Sequence, residues 1–481
     1  MKKNYLEQII KVIRGKLLAG QIYSEDWISG ISLDSRKVQA GELFFALPGE
    51  RVDGHAYVAA ALAAGAAGAV VCRWPEEGFS LSGNEPVVNT KRIPLIQVDN
   101  VLGALQELAA WYRNQFTLPA IGVTGSTGKT TTKDLIAAAL SKRRNVLKTA
   151  GNYNNEIGVP LTLLQLTDFH EVAVVEMAMR GPGQITDLCR LVSPEIGVIT
   201  NIGHTHQELL GTQANIAWAK GELLENLPPY GWAVLNADDP WQQLLASKIG
   251  VQTLFYGLHH PTAAVYARDI QLLGAAGSSF RVHLPGMEGE INLPVPGIHN
   301  VYNALAAIGV GTLLGVPFEE IAEGLKSARI TGMRLDLRPG YRGITLVNDC
   351  YNANPDSMLA ALQVLMNLQG KRTIAVLGEM YELGDFTEEG HRLVGKEAAR
   401  LGITQLIAVG KLAVDIARGA REASMPAERV ITVPDNLGAL QWIRAYTEPG
   451  DVVLVKGSRG MKMEEIVDAL EFTEQNEGEV I

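Results

Sequence analysis

Ala120-Ile-Gly-Val-Thr-Gly-Ser-Thr-Gly-Lys-Thr-Thr-Thr-Lys133 decides the reading of this chain. A β-branched apolar run ends in a glycine-rich turn, and a lysine with three threonines leads into a helix predicted over 133–141. Consecutive backbone N–H groups in such a turn point at phosphate oxygens, and the helix N-terminus adds positive potential. Lys129 neutralises charge there, and the Thr130 hydroxyl is placed to hold Mg²⁺. Gly125, Ser126, Thr127, Gly128, Lys129, Thr130 and Thr131 are therefore the expected cradle for a nucleoside triphosphate. The spacing departs from G-x-x-x-x-G-K-[ST], because position 123 is valine and the earlier glycine is Gly122. A plain kinase or GTPase loop is the poorer match.

On either side of this loop, short β-branched runs alternate with alanine-leucine helices, the rhythm of parallel strands joined by helical crossovers. The fold class is α/β, in three domains: a small N-terminal α/β domain (1–101), a central P-loop-type ATPase domain with a mainly parallel sheet (102–328) and a C-terminal Rossmann-like domain (329–481). The first contains the turn Ser32 to Lys37, the run Glu42-Leu-Phe-Phe and an alanine-rich stretch, 56–72, read as a helix followed by a buried strand. The segment 76–91, rich in Gly, Ser, Asn and Glu, reads as an exposed loop. After a helix predicted over 102–116, strands at Ala120-Ile-Gly-Val-Thr, Val172-Ala-Val-Val-Glu and Ile196-Gly-Val-Ile-Thr present polar residues at their carboxyl ends, where open α/β sheets bind ligands. Strands at 344–347, 373–377, 405–409 and 451–455 build the third domain.

Composition agrees with several folded domains. The 481 residues exceed one ordinary core, and 47% hydrophobic with 20% charged residues is near the average for soluble chains. A net charge of −10 argues against nucleic acid or anionic lipid as a partner, so any phosphate site has to be local. Cys72, Cys189 and Cys350 are widely separated and odd in number, which fits a reducing, cytoplasmic compartment and a core role. Charges interrupt the N-terminal segment, which reads as an amphipathic helix and not a secretory signal; no membrane span is expected.

Mg²⁺ held at the loop hydroxyl needs further hard ligands from neighbouring strand ends. Glu176 closes an apolar run, where an isolated carboxylate is costly to bury without a cation or donor; its other reading is a carboxylate emerging into solvent. His204 and His206 follow the strand at 196, either as a ligand or as ordinary polar loop residues.

Five separated motifs in order resemble the Mur ligase family: the phosphate loop, Gly151-Asn-Tyr-Asn-Asn-Glu-Ile-Gly-Val-Pro160, Val175-Glu-Met, Thr200-Asn-Ile-Gly-His-Thr-His206 and Gly297-Ile-His-Asn300-Val-Tyr-Asn303-Ala304. Val347-Asn-Asp-Cys-Tyr-Asn-Ala-Asn-Pro-Asp-Ser357, Leu377-Gly-Glu-Met-Tyr-Glu-Leu-Gly384 and Leu454-Val-Lys-Gly-Ser-Arg-Gly-Met461 resemble the branch that adds D-alanyl-D-alanine to a UDP-N-acetylmuramoyl-tripeptide, and the resemblance spans nearly the whole chain.

The resemblance implies ATP and Mg²⁺ as cofactors and those two substrates as partners. By similarity, Lys129 and Thr130 are the phosphate-loop pair, and Glu176 and His206 are magnesium ligands, with His206 rather than His204 at the matching distance from Asn201. Lys220 matches a lysine that the family carbamylates into an extra metal-binding carboxylate. Asn300 matches an adenine reader, Asp349 a ribose-contacting acid and Arg334 a nucleotide contact. Asn154, Asn155, Asn352 and Asn354 match substrate-binding positions, although turns between strand and helix explain the last two equally. Asp34, Ser35 and Arg36, with Asp53, Gly54 and His55, are candidates for the UDP end. Asn348 departs from the pattern, which often has a second acid there. The resemblance further implies an acyl phosphate on the tripeptide carboxylate, attacked by the dipeptide amine, and a monomer is expected. The alternatives are another ligase of the same superfamily, such as a third-residue-adding enzyme or a folylpolyglutamate synthetase, and a P-loop ATPase that makes no bond.

Overall fold

The computed structural model describes residues 1–49, 52–75, 80–82, 85–87 and 93–471. The chain packs as two compact units, one of residues 1–122, 144–178 and 184–195 and one of residues 123–143, 179–183 and 196–481.

In the first unit a five-stranded sheet runs in the order Lys16–Ala19, Leu95–Gln97, Gly68–Val71, Glu42–Phe45, Gly30–Ser32. Its inner pairs are parallel and only the Lys16–Ala19 edge is antiparallel. Gly68–Val71 is buried at every residue, as a parallel strand covered on both faces requires. The alanine-rich stretch forms the helix Val58–Ala63 before that strand, as its sequence predicts, and packs Val58, Ala61 and Leu62 on Phe44, Ala69 and Val71. Within the segment expected to be an exposed loop, Ser80–Ser82 and Glu85–Val87 pair antiparallel as a hairpin; the rest of that expectation falls outside the described residues. The N-terminal amphipathic helix is Leu6–Val12, buried at Leu6 and Ile9. The next long helix is Val101–Arg113, shorter at its end than predicted and capped by the Asn100 side chain, which accepts from Gly103 N–H at 3.0 Å. Val146–Lys148 pairs parallel with Val172–Glu176.

In the second unit Ile196–Ile199, Trp232–Asn236, Gln252–Gly257 and Val265–Leu272 pair in parallel, and Ser278–Leu284 and Met287–Leu293 extend the sheet antiparallel. Of these only Ile196–Ile199 was read from the sequence; the antiparallel pair was missed although Phe280, Val282 and Leu284 alternate inward with period two. The helix after the phosphate loop is Lys129–Leu140, so it begins inside the lysine-threonine run, four residues before the predicted start at 133.

A second sheet runs Asp336–Pro339, Thr345–Asn348, Val452–Lys456, Thr373–Gly378, Gln405–Val409, Val430–Val433. Only its first pair is antiparallel. Alternate residues serve two cores: Val347, Leu454, Ala375 and Leu406 face one set of helices, and Leu346, Val453, Ile374 and Ile407 face the other. That two-sided burial is the doubly wound arrangement expected of the C-terminal third. The three cysteines are free, Cys189 and Cys350 buried and Cys72 half-buried. Among the described residues no helix is long and apolar enough to cross a membrane.

Candidate functional site

The phosphate loop is held by the segment after Ile199. Ser126 N–H donates to Asn201 O at 2.9 Å and Thr127 N–H to Asn201 Oδ1 at 2.8 Å. Asn201 Nδ2 donates in turn to Thr127 Oγ1 at 2.6 Å. The two segments approach so closely that only glycine fits at the first turn: a Cβ on Gly125 would sit 1.9 Å from Thr200 Oγ1. Gly128 has φ 77 and caps the helix. Its carbonyl accepts the Thr132 N–H at 2.8 Å, so the N–H groups of Lys129, Thr130 and Thr131 precede this helical donor. The Lys129 ammonium folds over the loop, donating to Gly125 O at 2.7 Å and Ser126 O at 3.2 Å. First-turn donors beside a cation and a hydroxyl are a donor set that fits a nucleotide triphosphate tail.

Lys220 lies on the helix Gln213–Glu225 and is only 2% exposed. Burial, and then the charge of Lys129, hold its amine well below the ordinary lysine range. Among the described residues no carboxylate lies within ion-pair distance of it. A buried amine held toward its neutral form is a nucleophile, which fits the carbamylation that the family pattern implies.

The segment leading into the C-terminal sheet reaches the helix Lys129–Leu140. Thr331 N–H and Oγ1 donate to Asp134 Oδ2 at 2.8 and 2.7 Å. Arg334 Nη2 donates to Thr130 Oγ1 at 2.9 Å, and its guanidinium stacks on Tyr351. Met333 and Leu335, on either side, have φ 58 and φ 51, a left-handed geometry uncommon for non-glycine residues. Asn300 is buried, donating to Pro296 O at 2.7 Å and accepting from Asn303 Nδ2 at 3.0 Å. Much of its amide is committed inside its own helix turn.

Asp349 is 2.6 Å from Lys456 Nζ, which also donates to Asn352 O at 2.9 Å. His299 lies near this pair, and burial pushes its imidazole down to about 4. Asn348, the neutral departure from the pattern, is buried and accepts from Cys350 N–H at 3.2 Å. The Asn354 side chain caps the helix Pro355–Asn367 through a reciprocal pair with Ser357, a turn role of the kind that its sequence left open. Asn352 is exposed.

His206 sits in a left-handed conformation, φ 56 and ψ 29, with Nδ1 2.7 Å from a Glu382 carboxylate oxygen. That contact holds the Glu382 carboxyl below its usual range. His204 is stacked on Phe386 instead, and its N–H donates to Asp356 Oδ2 at 2.9 Å.

The remaining candidates belong to the first unit. Glu176 ends its strand 1% exposed, one carboxylate oxygen accepting from Asn154 Nδ2 at 2.7 Å and the other buried without a hydrogen-bond partner among the described residues. An orphaned buried carboxylate oxygen fits a hard divalent cation and disfavours the solvent-emergent reading. Asn155 Oδ1 accepts from Gly158 N–H at 2.9 Å at the start of the next helix. Arg36 is exposed and grips Asp34 with its backbone and guanidinium, holding that carboxyl down to about 2; Ser35 sits between them. His55 is 3% exposed, with Nδ1 2.7 Å from Asp53 Oδ1 and Nε2 accepting Cys72 N–H at 3.1 Å. Those partners fix a neutral tautomer inside a buried network. Asp53 also meets Arg73, and a Cβ on Gly54 would come 2.7 Å from Leu47 N.

Sequence reasoning quoted Asn201, Asp356, Glu382 and Lys456 inside motifs without assigning them work, and it missed Phe386. Asn201 was within reach, since a half-buried polar side chain beside a glycine loop has to find partners. The contacts of the other four run across large sequence separations that no local pattern encodes.

Three family models match: the Mur ligase family catalytic domain at residues 27–113, the Mur ligase middle domain at 123–311 and the Mur ligase glutamate ligase domain at 333–459. The UDP-N-acetylmuramoyl-tripeptide--D-alanyl-D-alanine ligase of Bacillus subtilis is 39% identical, covering 98% of this chain and 99% of the relative. The enzyme of the same name from Synechocystis is 40% identical over 94% of each. A crystal structure of MurF from Acinetobacter baumannii superposes with a TM-score of 0.86 at 32% identity, covering 98% of this chain and 99% of that one. MurF ligase from Thermotoga maritima, solved with ADP, superposes with a TM-score of 0.77 at 27% identity, covering 91% and 96%.

Proposed function

This chain belongs to the Mur ligase family, and from that premise we propose that it joins D-alanyl-D-alanine to UDP-N-acetylmuramoyl-tripeptide at the expense of ATP. The product is the UDP-linked pentapeptide, with ADP and phosphate, in the synthesis of peptidoglycan precursors. The observation that carries this reading is the phosphate loop at the start of a helix, with Lys129 folded over its carbonyls and Asn201 bracing it.

A carboxylate does not condense with an amine at neutral pH, because oxide is not a leaving group. The γ-phosphoryl group of ATP passes to the terminal carboxylate oxygen of the tripeptide, breaking the γ-phosphorus bond to the bridging oxygen and releasing ADP. The dipeptide amine then attacks the acyl carbon, a proton leaves the nitrogen, the carbon–oxygen bond breaks and inorganic phosphate departs. Little covalent work falls to the protein, so its contribution is alignment and charge stabilisation. Lys129 exchanges its loop carbonyls for phosphate oxygens, and the first-turn N–H groups hold the rest of the tail. Arg334, already on the Thr130 hydroxyl, adds a second cation for the nucleotide, and Asp349 is the ribose acid, oriented by Lys456. Asn300 reads the adenine.

Thr130, Glu176, His206 and a carbamylated Lys220 are the residues that would hold Mg²⁺. When bound, the ion neutralises charge on the transferring phosphoryl group. Asp34, Ser35, Arg36, Asp53 and Gly54 receive the UDP end, with His55 supporting Asp53 from the buried side. Asn154 steadies Glu176, and Asn155, Asn352 and Asn354 stand by the peptide substrates. The enzyme works as a monomer in the cytoplasm, where ATP and free thiols coexist.

Mass spectrometry of reactions with ATP, a UDP-tripeptide and D-alanyl-D-alanine tests the reading. The expected result is a pentapeptide product and phosphate release that needs both substrates. Release independent of the dipeptide would favour an ATPase that makes no bond.

A further inference from the structure

Two non-glycine residues in left-handed backbone conformations meet side chain to side chain in the second unit: His206, φ 56, and Glu382, φ 63. Such a conformation is uncommon for residues with a Cβ, and a pair of them in contact implies that surrounding interactions hold both in place. Those interactions are visible. Glu382 O accepts Glu208 N–H at 3.4 Å, Asp356 accepts His204 N–H at 2.9 Å, and Phe386 stacks on the His204 ring with centroids 4.9 Å apart. Each partner comes from the C-terminal third, and together they fasten the segment 203–208 from one side.

We propose that Glu382 is a positioning residue for the divalent cation: its carboxylate beside Nδ1 of His206 keeps the imidazole proton on that nitrogen and leaves Nε2 with the lone pair to offer the metal. The inference rests on the reading of His206 as a ligand. A metal-binding histidine generally has its other ring nitrogen facing a carboxylate, carbonyl or water that fixes tautomer and ring orientation, and removal of such a partner weakens metal binding roughly 10–100-fold. Glu382 has the right chemistry at 2.7 Å, although the carboxylate lies off the line of the Nδ1–H bond, so a small turn of the ring is needed for it to hold that proton; its side chain is half-exposed, so replacing it leaves the core intact. Asp356 and Phe386 act one residue pair away, holding the backbone that carries His206.

The test is Mn²⁺ affinity measured by electron paramagnetic resonance on the full chain with a non-hydrolysable ATP analogue, in the parent, Glu382→Ala, Glu382→Gln and His206→Ala. Nitrogen-15 spectra of the histidine ring are recorded alongside. The expected result is a loss of roughly 10–100-fold in Glu382→Ala, a smaller loss in Glu382→Gln, and a ring that shifts from the Nδ1-protonated form to a mixture. His206→Ala loses at least as much, and adding Glu382→Ala to it costs nothing further. If His206→Ala weakens Mn²⁺ while Glu382→Ala stays within about twofold of the parent, the positioning role falls and the ligand assignment stands. If His206→Ala itself leaves Mn²⁺ affinity unchanged, the ligand assignment falls and takes the positioning role with it.

Discussion

Asn201→Ala removes two hydrogen bonds from the phosphate loop and leaves its glycines, lysine and threonines untouched. Thr127 N–H loses an acceptor at 2.8 Å and Thr127 Oγ1 loses a donor at 2.6 Å. The Ser126 N–H bond to the Asn201 carbonyl remains, because that acceptor is main chain. Each lost bond is worth about 0.5–1.5 kcal/mol net, so the ordered loop is destabilised by about 1–3 kcal/mol relative to looser forms. If binding requires the ordered loop, nucleotide affinity falls by that amount, about 5- to 150-fold in Kd. Isothermal calorimetry with Mg²⁺ and a non-hydrolysable ATP analogue reads this directly. Thr127→Val removes only the hydroxyl pair and should lose about half as much free energy, with the double variant close to Asn201→Ala for that portion. An Asn201→Ala protein that binds the analogue within twofold of the parent would refute the claim that this side chain orders the loop.

Two further outcomes follow from the site. Lys129→Ala should lower ligation by several orders of magnitude with an unchanged melting temperature, since the ammonium acts on phosphate charge and contributes no core packing; unchanged turnover would remove the phosphate-loop assignment. His299, whose pKa falls from 6.5 to about 4 through burial, is held neutral in the fold, so the unfolded chain binds more protons between those values. Its contribution is complete above the unfolded pKa near 6.5 and is lost as pH falls toward 4, at most about 3 kcal/mol, and His299→Gln should flatten that acid limb in chemical denaturation at a series of pH values.

What could be read in the sequence was what is encoded by neighbours along the chain. The phosphate loop, the two-sided burial of Gly68–Val71 and four of the six strands of the C-terminal sheet all depend on residues within a few positions of one another, whereas Asp336–Pro339 and Val430–Val433 were not read. The hairpin of Ser278–Leu284 and Met287–Leu293 was missed, because polar residues on its open face dilute the apolar signal and Ser278, Ser279, Arg281 and His283 read as loop. The helix start at Lys129 was placed late for a related reason: threonines disfavour helix interiors, yet a first turn tolerates them, because its N–H groups have no partner within the helix ladder for their hydroxyls to compete with. Residue roles divide the same way. Asn354 had two sequence readings, substrate contact or turn, and its oxygen caps a helix. His55 has both ring nitrogens engaged inside the fold, a fact that depends on Cys72 and Asp53 coming together.

The segment from Thr200 to Glu208 concentrates the long-range interactions, and this bears on how ligation is ordered. At its start Thr200 and Asn201 brace the phosphate loop, and Ile202 N–H is fixed by Asp239 at 2.9 Å. Gly203 N–H donates to Ser126 Oγ at 2.8 Å, inside the loop itself. From the next residue on the partners change, and Asp356, Phe386 and Glu382 from the C-terminal third take over. One short stretch of backbone therefore touches the phosphate loop proposed to grip the nucleotide tail and residues of the C-terminal third, proposed to bring the dipeptide. Displacement at either end has to be accommodated by the other, since buried hydrogen bonds of this kind have discrete arrangements and not a continuum. Coupling of binding free energies is reciprocal, so whatever the nucleotide does to the C-terminal contacts, those contacts do to nucleotide affinity in equal measure. If His206 holds the cation as proposed, an enzyme that generates a hydrolysable acyl phosphate gains from that arrangement, because the Glu382 contact behind the ligand exists only while the C-terminal third is in place.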